Sequence, residues 1–193
     1  MIHVMHPAIF LDRDGVIIEN RPNHIRSWAD VAIYPQALAG LAKISGSPYK
    51  VVIVTNQSGI GRGLISTAAA REINSRLLNE IEVAGGRVEG VFVCPHIPEE
   101  GCDCRKPKPG LFFQAALRMS LDLSQSFVIG DALTDLKAGR LAGIPQRILV
   151  RTGRGPDQIS LPEAACEAPL SLYDNLADAL AELFNSEPPT GFQ

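Results

Sequence analysis

No stretch of this chain approaches the roughly 20 consecutive apolar residues that a membrane-spanning helix needs. A basic excess is also missing: the formal net charge is −3, which argues against a phosphate-backbone partner. Aromatic residues make up only 6% of the chain and form no aromatic-basic platform on which single-stranded nucleic acid would stack. Met1–Pro7 is too short and mixed for a signal peptide. Neither an internal repeat nor a linker to a second domain is visible. The four cysteines are few, and three of them crowd into one short segment. Such clustering fits a metal site in a reducing compartment better than a disulfide frame. We expect a cytoplasmic monomer with no nucleic-acid and no membrane partner.

What is present is a globular balance, with 46% hydrophobic and 20% charged residues over 193 positions. That length suits one domain with a proper core. We assign residues 1–184 to it and expect a loose tail over residues 185–193, which carries two prolines among polar neighbours. Five apolar runs alternate with helical patterns, at Ala8–Leu11, Val51–Val54, Val88–Val93, Phe127–Ile129 and Arg147–Val150. The expected fold is α/β, a Rossmann-like doubly wound parallel sheet of about five strands covered on both faces. Among the helices, Pro35 suits a first turn, and Ser66 or Thr67 can cap the next. Phe112, Phe113, Ala116 and Leu117 are the apolar positions of the helix at Leu111–Met119. Leu176, Ala179, Leu180 and Leu183 point inward from the last one.

The chemistry gathers where the apolar runs stop. The first run ends in Asp12-Arg13-Asp14-Gly15, at the carboxyl edge where open α/β sheets bind ligands. Alternation along extended backbone points Asp12 and Asp14 to the same side. Two carboxylates crowded there can hold a divalent cation, with one attacking phosphorus and the other moving a proton. An Asp-rich turn capping backbone amides is the plainer alternative. The second run ends in Thr55-Asn56-Gln57-Ser58-Gly59 and further glycines, an anion-binding type of loop. No Gly-Lys-Ser/Thr follows, so a nucleotide P-loop is not expected. The fourth run ends in Gly130-Asp131, and a third strand-end acid would complete an oxygen-rich magnesium site with Asp12 and Asp14. Asp135 is better placed to hold loops.

After the third run, Cys94, His96, Cys102 and Cys104 offer three thiolates and an imidazole, a closed tetrahedral set that marks zinc as structural. Arg105-Lys106-Pro107 follows at once, stiffened by proline, and a lysine so held can neutralise phosphoryl charge. An exposed basic loop is the commoner fate of such a run. Arg21 and Arg26, in the polar stretch before Tyr34, can reach an anion or merely face water.

The ordered set Asp-x-Asp, Thr-Asn-Gln-Ser, Arg-Lys and Gly-Asp-x-x-x-Asp resembles the haloacid dehalogenase superfamily of phosphatases. The Cys/His loop and Arg105-Lys106-Pro107 are similar to its zinc-containing branch, from about Ala8 to Gly153. The resemblance implies Asp12 as nucleophile and Asp14 as the acid and base. Asp12, Asp131 and the backbone carbonyl of Asp14 would bind Mg2+, and Thr55 and Lys106 would steady the phosphoryl group. Asn20, Arg21, Pro22, Asn23, Asn56, Gln57, Ser58 and Arg105 would meet a sugar phosphate, and Cys94, His96, Cys102 and Cys104 would hold Zn2+. Within the branch it implies removal of the 7-phosphate of a heptose 1,7-bisphosphate, with histidinol phosphate as the alternative substrate. A nucleic-acid end phosphatase and a non-catalytic zinc-stabilised module are the remaining alternatives. Ala132 departs from the pattern, because a basic residue often follows the motif aspartate; Arg21 or Arg151 could take its place. The stretches between motifs are too short for a separate cap domain.

Overall fold

The computed structural model describes residues 4–185. Six parallel strands form one sheet in the order β3-β2-β1-β4-β5-β6, with β1 His6–Leu11, β2 Lys50–Asn56, β3 Gly90–Cys94, β4 Leu121–Gly130, β5 Gln146–Val150 and β6 Ser171–Tyr173. This is the doubly wound Rossmann-like arrangement, whose strand order reverses beside β1. Five strands were expected. The sixth spans only three residues at the sheet edge, too short to carry an apolar pattern.

The strands are apolar on both sides because both faces are covered. Ile9 and Leu11 of β1 join one core with Ile53, Leu41, Leu77 and Leu180, under α1 Pro35–Lys43, α3 Thr67–Val83 and α7 Leu176–Asn185. Ala8 and Phe10 point the other way, to a second core with Val54, Phe112 and Ala138, under α4 Gly110–Met119 and α5 Leu133–Leu141. Burying each of these large side chains contributes about 1.5–3 kcal/mol. Two short helices, α2 Ser58–Gly61 and α6 Gly155–Ile159, follow β2 and β5.

Local chemistry sets the element ends. Pro35 opens α1, and Ser66 Oγ caps α3 by accepting from the Ala69 amide at 3.1 Å. Register shifts between β1 and β4 beside Pro7, which has no amide hydrogen to offer; there the Ala8 amide donates to Ser126 Oγ instead, at 2.9 Å. One helix faces differently from expectation. In α4 the buried residues are Leu111, Phe112 and Ala115, whereas Phe113 and Leu117 are exposed. Apolar residues lie on two sides of this helix, so periodicity alone does not choose its inner face. Of the expected tail, only Asn185, the last residue of α7, lies within the described residues. None of the helices among the described residues is long and apolar enough to cross a membrane.

Candidate active site

The site lies at the carboxyl edge of β1, β2 and β4, where the strand order reverses. Asp12 directly follows β1, Thr55 and Asn56 end β2, and Asp131 follows β4. A cavity of about 330 Å³ opens there, walled by Asp12, Asp14, Thr55, Lys106, Asp135 and Arg154 among others. That is room for a small phosphorylated metabolite.

Three buried carboxylates cluster beside it, with Asp12 and Asp135 in its wall and Asp131 behind them. Oxygens of Asp12, Asp131 and Asp135 lie within 4.8 Å of one another. At that separation two like charges repel by about 3–4 kcal/mol at an effective dielectric of 20, so the cluster needs cations. Lys106 is the first, 3% exposed, with Nζ 2.9 Å from Asp12 Oδ1 and 2.7 Å from Asp135 Oδ1; it also donates to the Val54 carbonyl at 2.8 Å. Burial alone would discourage its charge, but the carboxylates of Asp12 and Asp135 outweigh that and raise its pKa. Burial pushes Asp135 up to about 6, with Lys106 pulling it down and Asp12 and Asp131 adding to the rise. Arg154 is the second cation, donating through Nε and Nη2 to both oxygens of Asp131 at 3.1 and 2.8 Å.

The donor set suits magnesium. Oxygen-rich sites favour this hard cation, and an octahedral ion with bonds of about 2.1 Å spaces its ligands roughly 3–4 Å apart. The oxygens of the cluster, all within 4.8 Å of one another, come near that spacing. Two glycines make its close packing possible. Gly15 and Gly153 have φ of +84° and +59°, and a Cβ on either would collide with Asp131 Oδ2 and lie 2.6 Å from Asn20 Nδ2. Only glycine fits both the conformation and the space.

Asp14 is placed differently from its neighbour. The chain leaves extended geometry at once, as the Ile17 and Ile18 amides turn back to the Arg13 carbonyl at 2.9 and 3.1 Å. The Asp14 carboxylate therefore stands apart from the three-acid cluster, accepting from Arg13 Nε at 3.1 Å and from Gln57 Nε2 at 3.0 Å. Arg13 is itself buried and donates to Asn74 Oδ1 at 2.8 Å and Gln57 Oε1 at 2.9 Å. Gln57 thus fixes a carboxylate and also donates to Thr55 Oγ1 at 2.9 Å. The backbone carbonyl of Asp14 is the ligand that the family resemblance implies.

The other candidates divide. Asn20 donates to Asp131 Oδ2 at 2.6 Å. Asn56 pairs reciprocally with the backbone of Lys106, both bonds at 3.1 Å, and so ties β2 to the basic segment. Ser58, Arg21 and Arg105 line the cavity with Asn20 and Asn56, whereas Pro22 and Asn23 lie outside its wall. Arg105 donates to the His96 carbonyl at 3.1 Å. Sequence reasoning did not single out Arg154, His24 or Thr134, which also line it. A left-handed Gly153 immediately before Arg154 turns the chain back towards Asp131, a signal hidden in a glycine-rich loop. Arg151, weighed instead, pairs with Asp174 at 3.2 Å, both side chains more than half exposed.

The second cluster follows β3. The sulfurs of Cys94, Cys102 and Cys104 lie 3.2–3.6 Å apart, and His96 Nδ1 is 3.2 Å from Cys104 and 3.6 Å from Cys94. Tetrahedral zinc with bonds of about 2.3 Å separates its sulfurs by roughly 3.8 Å, so the set fits with slight expansion. Burial pushes the Cys94 thiol up to about 12. Burial also opposes ionisation of Cys102, but hydrogen bonds from Cys104 and the Arg105 amide outweigh it and lower that thiol to about 7.

Comparison with known proteins agrees with this geometry. The family model described as "HAD-hyrolase-like" matches residues 103–179. The D-glycero-beta-D-manno-heptose-1,7-bisphosphate 7-phosphatase of Pseudomonas aeruginosa is 36% identical over 177 residues, covering 91% of this chain and 96% of the relative. That of Bordetella bronchiseptica is 38% identical over 164 residues, covering 82% and 91%. The crystal structure of D,D-heptose 1,7-bisphosphate phosphatase from B. bronchiseptica, complexed with magnesium and phosphate, superposes with a TM-score of 0.85 at 34% identity, over 93% of this chain and 98% of that one. The chain belongs to the D-glycero-manno-heptose-1,7-bisphosphate 7-phosphatase family of HAD-like phosphatases.

Proposed function

We propose that this chain removes the 7-phosphate of D-glycero-D-manno-heptose 1,7-bisphosphate through an aspartyl-phosphate on Asp12, acting as a cytoplasmic monomer. The observation that carries this reading is the fully buried Lys106 joining Asp12 to Asp135 on the floor of a cavity that Arg21, Arg105 and Arg154 help to line. A nucleophilic carboxylate must meet a phosphate dianion, and only a strongly cationic surround permits that approach. The similar enzymes named above support the sugar bisphosphate over histidinol phosphate.

In this mechanism Lys106 orients Asp12 through Oδ1 and leaves Oδ2 to attack phosphorus. Asp14, held by Arg13 and Gln57, gives a proton to the leaving sugar oxygen and later takes one from the water that frees the enzyme. Thr55, whose hydroxyl already accepts from Gln57, donates to a phosphoryl oxygen. Asp12, Asp131 and the Asp14 carbonyl would hold magnesium, which when bound supplies positive charge to the equatorial phosphoryl oxygens. Asp135 fixes Lys106 and accepts from the Ala132 amide at 3.1 Å. Zinc would fix the start of the Arg105-Lys106 segment without touching the reacting atoms.

The direct test is to compare phosphate release from the α and β heptose 1,7-bisphosphates and from histidinol phosphate, with magnesium present. A higher kcat/KM on a heptose bisphosphate is expected. Preference for histidinol phosphate, or no release from any of the three, would overturn the proposal.

A further inference from the structure

Asp131 is fully buried and meets four donors. Its Oδ2 accepts from Asn20 Nδ2 at 2.6 Å, from the Arg154 amide at 2.9 Å and from Arg154 Nε at 3.1 Å; its Oδ1 accepts from Arg154 Nη2 at 2.8 Å. A carboxylate oxygen offers about two lone-pair sites, so Oδ2 has none left for a cation. Oδ1 is the atom through which Asp131 can ligate magnesium, and a guanidinium nitrogen lies on it. A divalent ion and that nitrogen repel each other at one small oxygen.

Arg154 can move aside. Its side chain is 52% exposed and lines the cavity. Its backbone stays put, because the amide is bonded to Oδ2 and Thr152 Oγ1 donates to the Gly15 carbonyl at 2.6 Å. The other arginines at the cavity have partners that magnesium would not compete for: Arg21 has Glu19 and the Asp30 carbonyl, Arg105 the His96 carbonyl, and Arg13 Asp14, Gln57 and Asn74. Arg154 is the one among them whose partner, Asp131, is an expected magnesium ligand. Its planar fork then suits two oxygens of a phosphate.

We infer that Arg154 is a latch on the metal seat: the incoming divalent cation lifts its guanidinium off Asp131, and the freed fork turns into the cavity to bind the substrate phosphate that is not transferred. The second half rests on the bisphosphate substrate proposed above. Metal loading and capture of the far phosphate would then be one coupled event, with metal-free enzyme holding its anion-binding group on Asp131.

Calorimetric titration of the full, zinc-loaded chain with magnesium alone tests the first half. Arg154→Gln has no charged fork to displace and is expected to bind magnesium on the order of tenfold tighter than the parent, the equivalent of one charged hydrogen bond. Arg154→Lys keeps the charge without the fork and is expected to bind tighter as well. The second half is read as the ratio of kcat/KM on the heptose bisphosphate to that on p-nitrophenyl phosphate, which has a single phosphate. That ratio should fall roughly tenfold or more in Arg154→Gln. Equal or weaker magnesium affinity in both variants overturns the latch, as does a magnesium-bound crystal structure that keeps Nη2 on Oδ1. An unchanged ratio overturns the phosphate role. A parent enzyme that hydrolyses p-nitrophenyl phosphate but not the bisphosphate would instead refute the proposed substrate, and the magnesium titration would still decide the latch.

Discussion

Replacing Lys106 by methionine preserves much of the side chain's bulk and removes its charge. In the parent, Nζ joins Asp12 and Asp135 at 2.9 and 2.7 Å with the residue 3% exposed. The variant leaves two buried carboxylates without that cation, and breaking one side of a buried ion pair costs about 3–5 kcal/mol. At about 2–4 °C per kcal/mol for a domain of this size, the expected loss of Tm is on the order of 10 °C. The loss depends on pH. Burial lifts folded Asp135 to about 6, above the ordinary carboxylate value of the unfolded chain. Between those values the folded state binds more protons, so stability falls as pH rises through that window. Lys106 holds the folded value down; without it the window extends upward. The deficit should therefore be largest near about pH 8 and shrink towards about pH 5, where a proton stands in for the missing cation. Thermal melts of both proteins at the two pH values, without added magnesium, make the comparison. Added magnesium should restore part of the loss, while turnover stays down by about a hundredfold or more. A deficit that is absent, or the same at both pH values, refutes the electrostatic reasoning.

Four other perturbations follow from the same geometry. Asp14→Asn should lower kcat by about 10²–10⁴, with KM little changed, because it removes a proton carrier and leaves the metal cluster intact; steady-state kinetics on the heptose bisphosphate decide it, and a change confined to KM would contradict the role. Gly153→Ala puts a Cβ against Asp131 Oδ2 and Gly15 in a left-handed conformation, and should weaken magnesium binding by calorimetry at least roughly tenfold; unchanged affinity would show that the glycine is not needed. At neutral pH the Cys94 thiol, pushed up to about 12, and the raised Cys104 thiol are protonated. Zinc uptake should release both protons, measurable as a buffer-dependent heat, and should tighten as pH rises. Zinc-stripped protein given fresh magnesium should release phosphate more slowly because Arg105 and Lys106 lose their anchor; full activity in verified zinc-free protein would rule out that coupling.

The parallel sheet and the places where its chemistry sits were legible because four apolar runs end abruptly in polar residues, a one-dimensional signal that needs no tertiary information. The three thiols and the imidazole were legible as a group because they share one short loop. What stayed hidden depends on backbone direction or distant packing. Alternation points Asp14 to the same side as Asp12, and both line the cavity; what it does not show is that the turn after Leu11 brings the Asp14 carboxylate to Gln57, outside the three-acid cluster. Asp135 was expected to hold loops; its bond to the Ala132 amide closes the first turn of its own helix. That the same carboxylate also neutralises Lys106 follows only once β2 and β4 bring residues 106 and 135 together. Asn56 and Gln57 were assigned to the substrate by the family resemblance; both line the cavity, and their side-chain amides also hold the Lys106 backbone and the Asp14 carboxylate. Arg154 carries no periodic mark at all, and its importance comes from Gly153 folding the loop over Asp131.

The proposed transfer of a phosphoryl group to Asp12 can be caught directly. Rapid acid quenching of the enzyme during turnover of the heptose bisphosphate with magnesium, borohydride reduction of any acyl phosphate and peptide mass spectrometry should find homoserine at residue 12, and Asp12→Asn should show neither the mark nor turnover. Phosphate release with no acyl phosphate at Asp12, or with the mark on another carboxylate, would contradict the account.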